Sequence, residues 1–337
     1  MKTRILTIGT ASVSTLIRCD GIPRPGCTVT AERYSIRPGG RAVISSVAIS
    51  KLGGDSIVCS SVGEDSYAVM LEDFLGSFCV DRRFYVKKNG CHTGYSTIID
   101  TGRDAIIDIP GANLRLSDDD IGEAFTCLPD VALVRCGGAS VGSIIFAVSE
   151  AVRRGVPVVL DLCGVSPDLP LESLRRADVV IVDADTAEML TGTLPSGEQS
   201  GLRVSGELER RIHTRYTVLM LSDTKGIFLS DNKYHEMLLP FDVSEVDRSG
   251  ADDSFISALT YDYATRVKAG GRDIGHAKNY GEGVASVIDS EVKRIIDECY
   301  AKAKAMIEEH IDVLHKCSDL LIQKEKIGQE EFEHLFE

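Results

Sequence analysis

The chain has 337 residues, 43% hydrophobic and 26% charged, with a net charge of −14 and a pI near 5.0. That size and balance fit one large soluble α/β domain, or a domain with an appendage. The acidity argues against non-specific binding to nucleic acid or an anionic membrane, and no apolar run reaches the roughly 18 residues of a membrane span.

In chain order, Met1–Gly9 reads as a first strand rather than a signal peptide. Short β-branched runs at Ile5–Gly9, Ser56–Ser60, Val131–Cys136, Pro157–Asp161, Val179–Val182 and Thr217–Leu221 predict buried strands of a parallel sheet. Between them, Ala42–Leu52, Tyr67–Phe78, Val141–Arg154 and Thr186–Leu190 have helical spacing. The alternation predicts a three-layer α/β sheet with helices on both faces. Thr28–Ile36 and Thr93–Ile109 break the rhythm and read as antiparallel strands of a small flap, with turn signals at Pro38-Gly39-Gly40 and Thr101-Gly102. Residues 193–207 read as an exposed loop. From Ile288 onward, apolar residues recur at three- and four-residue steps, predicting a helix, a second one around Val313–Leu321 and a short third around Phe332–Phe336. The ten cysteines contain no C-x-x-C pair. Cys59, Cys136 and Cys163 fall in strand-like runs, so reduced core thiols and a cytoplasmic location are expected.

The most informative stretch is Asp247-Arg-Ser-Gly250-Ala251-Asp252-Asp253-Ser-Phe255. A Gly-Ala turn opens a helix-like run, and the free N–H groups of a first helical turn can hold phosphate oxygens. An Asp beside them is placed to take a proton from a substrate hydroxyl during phosphoryl transfer. An acidic N-cap after an ordinary turn has the same local pattern.

Other elements stand in a fixed order around it: Pro23-Arg-Pro-Gly26, Pro38-Gly39-Gly40, Ser61-Val-Gly63-Glu64-Asp65, His92-Thr93-Gly94, Ile109-Pro-Gly111-Ala112-Asn113, and Ala177-Asp-Val-Val-Ile-Val ahead of Glu188-Met-Leu-Thr191-Gly192. This set resembles the PfkB (ribokinase-like) family of carbohydrate and nucleoside kinases over roughly residues 3–286. The resemblance implies an α/β core with a β-sheet lid, drawn from about 18–36 and 93–109, in a domain spanning 1–286. It implies Asp253 as the catalytic base, with the N–H groups around Gly250, Ala251 and Asp252 as an anion hole. Gly39 and Gly40 would border the substrate, with Ser14 and Ile44 at two further substrate-binding positions. Asp223, Lys225, Gly226 and Asp247 would lie on the ATP and Mg²⁺ side. The metal ligands are left unassigned. The partners implied are a small sugar, polyol or nucleoside, with no nucleic acid and no membrane, and a homodimer formed through the lid.

The chain departs from the family pattern at several positions. Ser14 stands where the family has a sugar-binding Asp, and Ile44 where it has an Asn. Asp183-Ala-Asp-Thr186 replaces Asn-x-x-Glu, Leu221-Ser222-Asp223 replaces Thr-Leu-Gly, and Asp252 replaces a Gly. A carboxylate about 4 Å from a phosphoryl charge costs roughly 4 kcal/mol per unit charge at an effective dielectric near 20, unless Mg²⁺ cancels it. A kinase-like fold that binds ligand or partner without turnover is therefore the alternative to a working kinase. The tail, residues 287–337, is similar to the C-terminal helices of FtsH-type AAA+ metalloproteases. The chain has neither the H-E-x-x-H of their zinc site nor a Walker motif, so the expectation is a helical appendage without protease or unfoldase activity.

Overall fold

The computed structural model describes residues 2–101, 104–221, 226–231, 233–240 and 250–270, with 308, 310–324, 328, 332 and 334 in the tail. Its elements open with β1 (Arg4–Ile8), β2 (Ser12–Arg18), β3 (Arg33–Gly39), α1 (Arg41–Lys51), β4 (Asp55–Val62), α2 (Ser66–Ser77) and β5 (Asp81–Lys87). They continue through β6 (Gly94–Asp100), β7 (Asp104–Ile109), α3 (Asp118–Ala124), β8 (Val131–Arg135), α4 (Val141–Arg154), β9 (Val158–Asp161), β10 (Val179–Asp183) and α5 (Ala184–Thr191). α6 (Glu198–Ile212), β11 (Tyr216–Met220), β12 (Ile227–Ser230), β13 (His235–Leu238) and α7 (Ala251–Lys268) complete the first compact unit, Met1–Gly275. In the second unit, His276–Glu337, α8 (Ile311–Lys324) covers the second expected tail helix. The expected helix over 288–307 lies outside the described residues.

A nine-stranded sheet runs β13-β12-β11-β10-β9-β8-β1-β4-β5, parallel from β11 to β5 and antiparallel at the β12 and β13 edge. Its strands alternate between two apolar faces, as a pleat with period two requires. Leu6, Ala132, Val134 and Leu160 pack with residues of α3, α4, α5 and α6 on one side. Ile5, Val131, Leu133 and Val159 pack with Ile49 of α1 and Ile256 and Tyr263 of α7 on the other. The three-layer α/β architecture is therefore present. A second, four-stranded sheet, β3-β2-β6-β7, stands apart as the lid.

Two differences from the sequence reading have clear causes. Residues 193–207 are not a loop, because α6 begins at Glu198. Pro195-Ser-Gly197 ends the non-helical stretch, and Val204, Leu208 and Ile212, at four-residue steps, are fully buried. Gly201 lets α6 approach Phe228 so closely that a Cβ would stand 2.8 Å from its ring. The lid also takes in Ser12–Arg18, which pairs antiparallel with Arg33–Gly39 and parallel with Gly94–Asp100. Its alternation of Ser, Val, Ser, Thr and Leu carries too little apolar signal to stand out. Cys59, Cys136 and Cys163 are buried and free, and burial pushes their thiols up.

Candidate active site

The lid joins the core at a junction of short, specific contacts. Gly40 precedes α1 at φ +89°, and a Cβ there would stand 2.6 Å from the backbone of Ala11 and Ser12. Glycine is required on both counts. Arg41 N–H donates to Thr10 Oγ1 (3.1 Å) and Ala42 N–H to the Thr10 carbonyl (3.0 Å), so the start of α1 is capped by the β1–β2 turn. Asn113 grips the same turn from below: its Oδ1 accepts from Ala11 N–H (2.8 Å) and its Nδ2 donates to the Ala11 carbonyl (3.0 Å). Asp65 caps α2 and accepts from Thr93 N–H (2.7 Å) and Thr93 Oγ1 (2.6 Å). Burial pushes the Asp65 carboxyl up, but these bonds outweigh it and leave its pKa below the usual range. Four of the sequence motifs thus meet at this junction.

Beneath the lid, α7 begins at Gly250 in the left-handed region (φ 78°) with no side-chain cap. Among the described residues, no acceptor meets the N–H groups of Ala251, Asp252 or Asp253. They form the free first turn of an 18-residue helix, the arrangement that attracts anions.

Asp253 lies in the first turn, its side chain 24% exposed, and Oδ1 accepts from Arg135 Nη2 at 2.7 Å. Arg135 ends β8 and is fully buried. Its Nη1 donates to Ser45 Oγ (2.5 Å), and its Nε lies 2.7 Å from Oδ2 of Asp161, itself fully buried at the end of β9. Arg41 Nη1 approaches the same Asp161 oxygen at 3.6 Å. Its guanidinium passes over Gly137 and Gly164, where a Cβ would stand 2.5 and 3.0 Å away. One Asp253 oxygen is thereby anchored to a buried cation, which fixes the carboxylate's direction at the helix start.

Asp253, Arg41, Gly137 and Gly164 floor a cleft of about 790 Å³ whose roof is the lid, with Arg135 and Asp161 buried behind them. Ser14, Gly39, Gly40, Ile44, Gly250, Asp252 and Asp253 all line it, so most of the expected site residues converge. Ala251 is exposed in the same helical turn. Gly226 is not among the lining residues; it immediately precedes β12, and a Cβ there would stand 2.0 Å from the Leu238 carbonyl oxygen. Asp223, Lys225 and Asp247 lie outside the described residues.

Asp252 is held above the usual carboxylate range, first by desolvation and then by the charge of Asp253. The Asp183 and Thr186 pair is used locally. Thr186 N–H donates to Asp183 Oδ1 (2.7 Å), and Thr186 Oγ1 accepts from Gly164 N–H (3.0 Å).

Sequence reasoning missed Arg41, Arg135 and Asp161. The signal was present: Val131-Ala-Leu-Val-Arg135 and Val158-Val-Leu-Asp161 each end an apolar strand with a charge. Charges are rarely buried unless paired, so two such strand ends on neighbouring β8 and β9 point to a pair.

The family model described as pfkB family carbohydrate kinase matches residues 2–294. The ribokinase of Staphylococcus aureus (strain COL) is 23% identical over 292 residues, 85% of this chain and 93% of that protein. The solved structure of Arabidopsis thaliana ribokinase complexed with ribose and ATP superposes with a TM-score of 0.71 at 20% identity. It covers 79% of this chain and 87% of that one, and shows a shared fold. A short stretch is similar to a different protein. The ATP-dependent zinc metalloprotease FtsH 1 of Thermoanaerobacter sp. (strain X514) is 52% identical over 66 residues, 20% of this chain. The match spans only 11% of that protease.

Proposed function

The chain belongs to the pfkB family of carbohydrate kinases, and from that premise we propose that it transfers the γ-phosphoryl group of ATP to a hydroxyl of a small sugar, polyol or nucleoside. The observation that carries the proposal is the meeting of Asp253, the uncapped start of α7 and the Gly39-Gly40 turn in one cleft beneath the lid. The acceptor lies between the lid and Gly39-Gly40, with its hydroxyl toward Asp253. The Asp253 oxygen not bound to Arg135 takes the hydroxyl proton as the oxygen attacks the γ-phosphorus. Charge on the transferring group falls on the N–H groups of Gly250, Ala251 and Asp252. The nucleotide is assigned to the side of residues 223–226 and 247.

Asp252, an oxygen donor facing the cleft beside Asp253, would hold Mg²⁺ together with the nucleotide phosphates, and the ion would supply positive charge against theirs.

Binding without turnover is the second reading, favoured by the Arg135 contact that occupies one oxygen of the base. ADP release from Mg-ATP across neutral and acidic acceptors separates the two. Turnover lost in Asp253→Asn supports the kinase; ligand-induced stabilisation without ADP supports the alternative.

Three further assignments accompany this function. A boundary near 286 separates the kinase domain from the tail. Homodimerisation uses the lid's outer face, where Tyr34 and Ile107 are 72% and 60% exposed; a monomer in light scattering refutes it. The protein acts in the cytoplasm; among the described residues no helix is long and apolar enough to cross a membrane.

A further inference from the structure

The lid's inner face carries a polar row that follows from strand register. Asp108 of β7 pairs with Ser96 of β6, Ser96 with Ser14 of β2, and Ser14 with Arg37 of β3. In-register residues point to one face of a sheet, and all four line the cleft. The two serines are joined Oγ to Oγ at 2.7 Å. Across three strand spacings of about 4.8 Å the row is roughly 14 Å long at the backbone, and the side chains of Arg37 and Asp108 at its ends face the same cleft.

Its ends have opposite charge. Burial holds the Asp108 carboxyl above its ordinary range, and the charge of Arg41 acts against that rise. Two residues further along each strand, Leu16, Ile98 and Ile106 form an apolar strip on the same face. Ser14 therefore does not leave the lid without an anchor: a carboxylate stands two strands away in the same row.

The charges facing Arg37 decide what suits it. Arg135 is enclosed between Asp161 and Asp253, and Arg41 stands 3.6 Å from Asp161 with its charge also acting on Asp108 and Asp252, whereas Arg37 lines the cleft from lid strand β3. The floor also carries Asp252, which disfavours acceptor anions near the phosphoryl site. An acidic group is accommodated at the Arg37 end of the row.

From this juxtaposition we infer that the acceptor is a polyhydroxylated molecule bearing an acidic group, with Asp108, Ser96 and Ser14 reading its hydroxyls and Arg37 its anion. The inference rests on reading the cleft as the acceptor site and specifies the substrate class. The carboxylate of a sugar acid and the phosphate of a sugar monophosphate share the required chemistry. The carbon chain between lies against Leu16, Ile98 and Ile106.

The test is direct binding by calorimetry to the full chain, with D-gluconate against D-glucitol and D-fructose 6-phosphate against D-fructose. Inorganic phosphate serves as the control for anion binding at α7. At least one acidic ligand binds ten-fold or more tighter than its neutral counterpart; gluconate and the phosphate ester distinguish the two sources. Arg37→Gln weakens that ligand by about 10- to 100-fold, the loss expected for a charge-assisted bond, and leaves the neutral compound unchanged. Asp108→Asn weakens both. Equal binding of neutral and acidic compounds overturns the inference. So does undiminished acidic binding in Arg37→Gln, or no acidic ligand binding at millimolar concentration. ADP release is read in parallel. Acid-selective binding without ADP refutes the kinase but not the acceptor class, whereas ADP formed on neutral acceptors alone does the reverse.

Discussion

Replacing Arg135 by leucine probes the buried charge cluster that aims Asp253. The guanidinium is fully buried, 2.7 Å from both Asp161 and Asp253. At an effective dielectric near 20, each such pair is worth about 6 kcal/mol of gross attraction. Desolvation of the arginine offsets much of that, so the cluster adds little net stability against an apolar core. The cost of breaking it is different. Leucine leaves Asp161 fully buried with only Arg41, 3.6 Å away, as a counter-charge. Removing one partner of a buried pair costs about 3–5 kcal/mol, and Arg41 places this case at the low end. Against a total of about 5–15 kcal/mol, that is a large fraction. The assay is urea unfolding at neutral pH of wild type, Arg135→Leu, Asp161→Leu and the double variant. Each single change lowers the midpoint strongly, and the double variant loses less than the sum by about 2 kcal/mol or more. A loss under about 1 kcal/mol for Arg135→Leu, or strict additivity, refutes the reasoning.

Gly40→Ala costs about 2 kcal/mol or more in the same assay, because the positive φ and the 2.6 Å approach to Ala11 are both incompatible with a Cβ. Gly142→Ala in α4, where a Cβ meets nothing within 4 Å, serves as the control and gains about 0.4–1 kcal/mol. Asp252→Asn raises the melting temperature at neutral pH. The folded-state pKa of Asp252 is raised, so its ionised form is the costly one; the gain shrinks as pH falls into the usual carboxylate range and vanishes below it. An equal gain at all pH values counts against that assignment. Glu150, bonded to Arg153 and Arg154, is lowered from 4.5 to about 2. A depressed carboxylate stabilises above its unfolded pKa, so Glu150→Gln loses about 1 kcal/mol at pH 7, after allowance for solvent screening, and nothing below pH 2. Melts at both pH values check it.

Much of the architecture was legible because buried parallel strands are continuous apolar runs. Val131–Cys136 and Val179–Val182 needed no context to be recognised. Ser12–Arg18 was not legible: a lid strand half-buried on one face and lined there with serines has no strong period of its own, and its partners lie 15 to 82 residues away. α6 was hidden by the Pro195-Ser-Gly197 signal before it, although Val204, Leu208 and Ile212 carried the helical step.

Within the site, Gly250–Asp253 was readable because a glycine turn and a helix start leave a local pattern. The Arg135–Asp161–Asp253 cluster joins residues 118 positions apart, and the Asp108–Ser96–Ser14–Arg37 row depends on strand register. Neither feature exists until the chain folds.

The most direct test of the central claim is ADP formation from Mg-ATP over a panel of neutral and acidic polyols, wild type beside Asp253→Asn. The account predicts turnover on at least one acceptor, reduced by about 10²-fold or more in Asp253→Asn, the usual contribution of a general base. Undiminished turnover in Asp253→Asn, or no ADP with any acceptor while ligands still bind, contradicts it.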